Sequence, residues 1–405
     1  MGFKRLRLHL KRLLYAHLRG VERTPPTRFR KLCIYKRDGI GDFILAISAI
    51  RLLVQEFGAE NTVLIIWPQV AELAAAEFPG VERIVLALAA PARLINRLTV
   101  LRKQRSALAQ YSFDRLISLR HQRGDDDDLA LSWIRAKRSF GIICKGAFER
   151  PPETSIEHYR LSDPVVRTMS SVPDTTDGLC EELRNHQALL SSVLGRPVMA
   201  AEILPTVSSF PPASENYAVV SALPGVPPIP GAPSTSLRNI PFGLLEAGIR
   251  RMQFRGIDRV YLCGSSQQEK ALAELALKLA TVDLKVEVST PGNFHEFGCL
   301  LARSRCVLAS ETGAAHLAVA LDKPSVILIG GGHYGFFAPW THSSKQIWLT
   351  NRVPCFYCNW VCSQAEPFCL TKISSDGIRT ALDEILGSAG NPEIAANEKT
   401  VGKLA

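Results

Sequence analysis

The chain has 405 residues, 46% of them hydrophobic and 21% charged, which excludes a fibrous or wholly disordered polymer and leaves room for two globular domains. Its formal net charge is +10, yet residues 1–31 alone hold ten Lys or Arg against the single acid Glu22, a net of +9. The remainder is close to neutral, which excludes a broad nucleic-acid-binding surface. No apolar run is long enough to cross a bilayer, and the N-terminus lacks an apolar stretch ahead of a small-residue cleavage site. A cytoplasmic location is therefore expected, with the ten cysteines mostly reduced.

In chain order, residues 1–30 form a basic arm. Phe3, Leu6, Leu10, Leu13, Leu14 and His17 recur at helical spacing, flanked by Lys4, Arg5, Lys11, Arg12 and Arg19. Residues 1–20 thus read either as an amphipathic helix for an anionic inner-membrane surface or as a solvated tail, and Thr24-Pro25-Pro26-Thr27 ends the arm. Residues 31–205 then alternate strand and helix. The strands are "KLCIYK", "TVLIIW", "RIVLAL", "FDRLISL" and "RSFGIIC", and the helices are 43–57, 70–78, 92–110 and 127–136. Residues 153–195 read as helices with polar joints, and a Pro-rich stretch runs from Leu204 to Pro233. The alternation restarts over residues 206–387, with strands "YAVVSAL", "DRVYLCG", "KVEVST", "RCVLAS" and "SVILIG". Helices are expected near 241–254, 267–280, 293–303, 312–321 and 376–386, and residues 388–405 read as a disordered tail. Near-continuous apolar strands between helices predict parallel sheets covered on both faces. The fold class is α/β, two Rossmann-like domains facing across a central cleft, with ligands at the carboxyl ends of the strands.

Two stretches carry chemistry. In "YKRDGIGDFILAI" a strand breaks at Gly39 and Gly41 and leads to Asp42. A dinucleotide fingerprint needs a third glycine, where Ile44 stands, so the nucleotide-cradle interpretation is demoted. What remains is a glycine turn presenting one carboxylate, with a helix N-cap as the structural alternative for Asp42. In "CVLASETGAAHLAVALDKPSVILIGGGH" a strand ends at Ser310 and Glu311, Thr312 and Gly313 form a turn. The backbone N–H groups of the following helix make an anion site, with His316 one turn in, or else a core histidine. Gly331 and Gly332 sit in the next loop, which would expose its backbone to a ligand.

Together these stretches, "KRDGIGDFILAISAIRLL" and "ASETGAAHLAVALDKPSVILIGGGH", resemble the family-9 glycosyltransferases, whose best-known members are the ADP-heptose:lipopolysaccharide heptosyltransferases. The resemblance extends through "AKRSFGI" and "GAPSTSLRNIPFGLL" and covers roughly residues 31–386. It implies the GT-B fold and inverting, metal-independent transfer of a sugar, such as heptose from ADP-heptose, to a lipopolysaccharide or related cell-surface glycan. Asp42 then matches the general base, with Asp38, Gly39 and Gly41 on the acceptor side. Arg120, after the fourth strand, reads either as an acceptor-side contact for a phosphorylated or acidic group or as part of a solvated loop. Glu311, Thr312, Gly313 and His316 match the donor-binding motif, with Gly331 and Gly332 beside it. Arg238 aligns with a basic residue that contacts the donor phosphates. Gln268 or Glu269 falls near the nucleoside. Three departures stand out: Arg238 for the usual Lys, Ile240 for the usual Trp, and Glu311 for the usual Asp. The last two motivate the alternative of a nucleotide-sugar-binding or assembly subunit without turnover.

Two further clusters call for metals. Asp125–Asp128 contains the DxD spacing of metal-dependent glycosyltransferases of another fold, but it runs into a helix and reads as a charged first turn. Cys355, Cys358, Cys362 and Cys369, within the loop 354–370, have the look of one tetrahedral site for a structural zinc or iron, with reduced thiols or a disulfide as alternatives. A related cluster recurs in the family. No cofactor is expected for catalysis itself.

Overall fold

The computed structural model describes residues 13, 15–20, 24–87, 94–121, 123–146, 161–169, 173, 175, 177–211, 213–224 and 237–387. The chain divides into two units: residues 1–210 with 333–340, and residues 211–332 with 341–405.

Unit 1 holds one sheet of six parallel strands. They are β1 (Arg28–Lys36), β2 (Thr62–Ile66), β3 (Glu82–Val85), β4 (Tyr111–Ser118), β5 (Arg135–Gly146) and β6 (Asp163–Met169), in the order β3-β2-β1-β4-β5-β6. Its helices are α1 (Ile40–Phe57), α2 (Ala71–Glu77), α3 (Leu94–Ala109), α4 (Asp125–Leu131), α5 (Glu181–Leu194) and the single turn α6 (Ala200–Ile203). Leu32 to Lys36 and all of β2 are buried without alternation, because helices cover both sheet faces. One core cluster gathers Cys33, Tyr35, Ile65, Leu116, Leu129 and Trp133.

Unit 2 repeats the plan. Its strands are β7 (Tyr217–Ser221), β8 (Arg259–Cys263), β9 (Glu287–Ser289), β10 (Cys306–Ser310), β11 (Ser325–Leu328) and β12 (Gln346–Leu349), in the order β12-β11-β10-β7-β8-β9. The helices are α7 (Phe242–Phe254), α8 (Glu269–Ala280), α9 (Phe294–Arg303), α10 (Gly313–Ala320), α11 (Phe368–Thr371) and α12 (Ser375–Leu386). Val220, Leu245, Leu262, Leu308, Leu328 and Leu382 belong to its core. Both sheets have the doubly wound order, in which the chain reverses direction between the first and fourth strands. A crevice opens at the carboxyl ends of strands at such a switch point, so ligands are expected after β1 and β4 in unit 1 and after β7 and β10 in unit 2.

The structure corrects several expectations. Residues 163–169, expected within a helical stretch, form β6: Val165 and Val166 pair with Ile142 and Ile143, and β-branched residues suit a pleated surface. The strand "QIWL" (β12) was not expected at all. Helix α4 ends at Leu131 rather than 136. Of the arm, residues 15–18 are helical, but Leu13 is 57% exposed and His17 is exposed, whereas Tyr15 and Leu18 are buried. The Trp133 indole N–H donates to the Leu18 carbonyl at 2.8 Å, and the Tyr15 hydroxyl donates to Asp126. The buried face at the arm's base is thus not the one the apolar spacing marked. Residues 1–12 and the tail 388–405 lie outside the described residues. Among the described residues, no helix is long and apolar enough to cross a membrane.

Candidate active site

At the switch point of unit 1, β1 ends in Lys36-Arg37-Asp38 and α1 follows at once. Gly39 is the N-cap, with φ −65° and ψ 172°, and Gly41 already lies inside the helix. Neither glycine takes a positive φ, so the turn does not use glycine's left-handed freedom, contrary to the sharp bend expected from the sequence. Asp42 is the third helical residue rather than the N-cap, and its carboxylate lies over Gly39: a Cβ built there would sit 3.6 Å from Asp42 Oδ2. A carboxylate in the first turn is favoured by the helix dipole.

The residues that precede Asp42 in the chain are tied into a buried ionic network. Lys36, wholly buried, pairs with Asp38 at 2.9 Å and Glu182 at 3.2 Å and donates to the Leu119 carbonyl. Arg120, just after β4, pairs with Asp38 and with Asp127 at 2.9 Å. Arg37 donates to Asp127 at 2.7 Å and lies 4.9 Å from the centre of the Trp67 ring. Glu182 also meets His121, and His186 stands 3.5 Å away. Burial acts to raise the Glu182 carboxyl, but His121 and Lys36 together hold it well below the usual range. Burial likewise opposes the Asp127 charge, and Arg120 and Arg37 bring that group below its ordinary value. Asp38 and Arg120, expected to face an acceptor, are brought together and pair with each other.

This network also settles the Asp125–Asp128 run. The run does open a helix, but Asp127 and Asp128 are buried at 1% and 4% exposure rather than solvated. Asp127 serves Arg37, Arg120, the Tyr35 hydroxyl and the Gly124 N–H, while Asp128 faces Arg123 at 3.7 Å. The sequence hid these partners because Tyr35 and Arg37 come from the end of β1, some ninety residues before the run, and Arg120 and Arg123 from the loop after β4.

At the switch point of unit 2, β10 ends at Ser310 and α10 starts at Gly313. Thr312 is the N-cap, extended at φ −144°, and its side chain caps nothing. The hydroxyls of Ser310 and Thr312 are buried and make no hydrogen bond to the described residues. The first N–H groups of α10 therefore remain available to an anion. Glu311 is buried, and its own N–H donates to Leu328 O. His316 is 5% exposed and lies near Trp348, with ring centres 6.4 Å apart. Burial pushes the imidazole down to about 4, and the Arg238 guanidinium adds to the shift. Arg238 thus lies close enough to feel His316, and it sits over the Trp360 ring at 5.0 Å.

Other expected donor residues have structural work. The Gln268 carboxamide accepts from the Ser265 N–H at 2.9 Å and donates to the carbonyls of Leu223 and Pro224. Glu269 is exposed at the start of α8. Gly331 and Gly332 do not form an open loop. A Cβ at Gly331 would lie 2.6 Å from the Phe356 ring, and one at Gly332 2.5 Å from the Trp360 ring. Their carbonyls accept from Tyr357 N at 2.8 Å and Asn359 N at 3.1 Å.

Cys355, Cys358, Cys362 and Cys369 are all free thiols, and only Cys369 is buried. Burial and the neighbouring cysteines both raise the Cys358 and Cys369 thiols, so the sulfurs are neighbours. The backbone N–H groups of Trp360 and Gly331 point at Cys358 and Cys369 and act the other way. Among the described residues, however, no group of three or more His, Cys, Asp or Glu is arranged to hold a metal ion.

Residues 247–361 match the model of glycosyltransferase family 9 (heptosyltransferase). The match takes in a little over a quarter of the chain. The matched segment contains Glu311, Thr312, Gly313, His316, Gly331 and Gly332, while Asp42 and Arg238 lie outside it. The lipopolysaccharide heptosyltransferase 1 of Pseudomonas aeruginosa is 27% identical over 138 residues, 30% of this chain and 37% of that protein. The match thus spans little more than a third of that relative. Among solved structures, E. coli heptosyltransferase WaaC with ADP superposes with a TM-score of 0.62 at 17% identity, covering 88% of this chain and 99% of that one. The E. coli ADP-heptose lps heptosyltransferase II gives 0.59 at 18% identity, over 88% and 98%. The family 9 glycosyl transferase from Veillonella parvula gives 0.56 at 13%, over 91% and 99%. At these identities the likeness is one of fold, and it covers both units.

Proposed function

We propose that this protein is an inverting, metal-independent glycosyltransferase that moves heptose from a nucleotide-diphosphate donor such as ADP-heptose to a lipopolysaccharide or related cell-surface glycan acceptor. The observation that carries this reading is the helix start and the Arg238 guanidinium in unit 2. Within a family-9 segment, the uncapped start of α10 lies at the switch point, and the His316 that follows it feels the Arg238 charge. ADP and ADP-2-deoxy-2-fluoro heptose accompany E. coli heptosyltransferase WaaC, a protein of like fold, which supports a nucleotide-diphosphate sugar as the ligand.

Unit 2 binds the donor: helix N–H groups and the Arg238 guanidinium meet the diphosphate and stabilise the charge that grows on it as the sugar–phosphate bond breaks. Asp42 accepts the proton of the acceptor hydroxyl while its oxygen attacks the anomeric carbon, which inverts that centre. The diphosphate leaves with the bonding electrons. The Asp125–Asp128 run supports metal independence, since Asp126, Asp127 and Asp128 are committed to Tyr15, Arg37, Arg120 and Arg123. The basic residues 1–20 suit a cytoplasmic enzyme resting on the anionic inner-membrane surface beside a lipid-linked acceptor. A structural zinc or iron at the cysteine loop stands as a separate proposal. Metal analysis of the purified protein decides it.

The test is Asp42→Asn, assayed for binding to ADP-, GDP-, UDP- and dTDP-sugars and for transfer. Donor binding should survive while transfer falls by about 10²–10⁴-fold. Unchanged turnover would remove Asp42 as the base, and a wild-type protein that binds none of the four donors would remove the function.

A further inference from the structure

We infer that Trp360, carried by the cysteine-rich loop, is a positioning residue that seats Arg238 for the donor diphosphate. The inference rests on the donor reading above. It answers a difficulty in the sequence, where Ile240 replaces the tryptophan expected two residues after the cation. Ile240 is buried in the core of unit 2 and its N–H donates to Ala222 O, so it offers Arg238 no aromatic face. The face comes instead from a residue more than a hundred positions later: the Arg238 guanidinium carbon lies 5.0 Å from the centre of the Trp360 ring. Among the described residues no carboxylate pairs with Arg238, so a ring rather than a counter-charge holds it. A guanidinium stacked by its face keeps its charge and presents the N–H donors of its edge, the geometry that matches a phosphate.

The ring is itself rigidly set. It is 7% exposed and lies across two glycines. A Cβ on Gly332 would fall 2.5 Å from its Cδ2, and a Cβ on Gly330 2.5 Å from its Cη2. No other residue type lets backbone and indole approach so closely. The Trp360 backbone is left-handed, with φ +60°, and so are Tyr357 and Asn359 at +68° and +50°. Three such residues in four positions are costly for side chains with a Cβ, and the surrounding contacts hold them. Asn359 N–H donates to Gly332 O, Tyr357 N–H donates to Gly331 O, and Trp360 N–H points at the Cys358 sulfur. The strained turn, the glycine loop and the cysteine thus place one indole under one guanidinium. The glycines that read as a backbone-exposing loop serve the donor at one remove, by making room for that ring.

The test measures ADP, GDP, UDP and dTDP binding by titration calorimetry with the full chain. Its variants are Trp360→Ala, Trp360→Phe, Arg238→Ala and the double variant Trp360→Ala/Arg238→Ala. Trp360→Ala should weaken binding of the preferred nucleotide by about 3- to 30-fold. Trp360→Phe keeps an aromatic face and should restore most of it. In the double variant, loss of the ring should add nothing to loss of the cation. That coupling is a signature a merely structural tryptophan would not give. Losses that multiply in the double variant, or a Trp360→Phe protein that folds and binds no better than Trp360→Ala, overturn the inference and leave the donor reading standing. A folded wild-type protein that binds none of the four nucleotides overturns both.

Discussion

At the scale of single residues, the motif positions were legible and their partners were not. Asp42, Thr312 and His316 could be found because glycines and small residues bracket them in the chain. Trp360 could not, since nothing local says that an indole 122 residues beyond Arg238 will lie beneath it. The glycines of "GGGH" were read for their backbone freedom, yet what they provide is room for two rings. Gly332→Ala therefore tests packing directly. Its Cβ would meet three atoms of the Trp360 ring at 2.5–2.9 Å, and a ring wedged on both sides yields less than a flexible side-chain end. Overpacking of this kind costs about 1–3 kcal/mol. A lower melting temperature together with weaker nucleotide binding is the expected result, and a protein unchanged in both would show that the ring has slack.

At the scale of elements, the alternation of apolar strands and helices revealed ten of the twelve strands among the described residues, because buried parallel strands announce themselves as apolar runs. The two that escaped are edge strands. Thinner burial left β6 with Arg167 and Thr168 and β12 with a short, part-exposed run. The arm is the sharper case. Helical periodicity in a basic sequence cannot say which face meets protein, and the fold buries Tyr15 and Leu18 while leaving Leu13 and His17 outward. Two effects should then separate. Leu18→Ala should destabilise unit 1 by about 2–5 kcal/mol, read by denaturant unfolding, with vesicle binding intact. Removing residues 1–12 should abolish sedimentation with anionic vesicles while leaving the unfolding midpoint in place. If the shortened protein still sediments, the arm is not the membrane contact.

At the scale of the whole molecule, each unit carries a deeply buried histidine among the described residues. Burial lowers His186 in unit 1 and His316 in unit 2 from 6.5 to about 4. Between those values the unfolded chain binds a proton that the folded chain refuses, so stability rises with pH across the window and is lost as pH falls from 6.5 toward 4. Each histidine contributes on the order of 2–3 kcal/mol at most. Glu182 and Asp127, held low by their cations, act in the same direction: their stabilisation is present above the ordinary carboxylate range and fades as acid protonates them. Calorimetric scans from pH 7 to 4 should show the melting temperature falling, and His316→Asn should flatten the part that belongs to unit 2. A profile level down to pH 4 would mean that neither imidazole is kept neutral by the fold.

The stacking of Arg238 on Trp360 has an optical consequence. The chain has five tryptophans; Trp133 and Trp340 are sealed at 0% exposure, while Trp360 lies under a cation. An anion that pairs with that cation changes the electric field across the indole, and the emission of that ring should shift with it. The protein thus carries an intrinsic fluorophore at the place where its donor would arrive, and occupancy can be followed without a label.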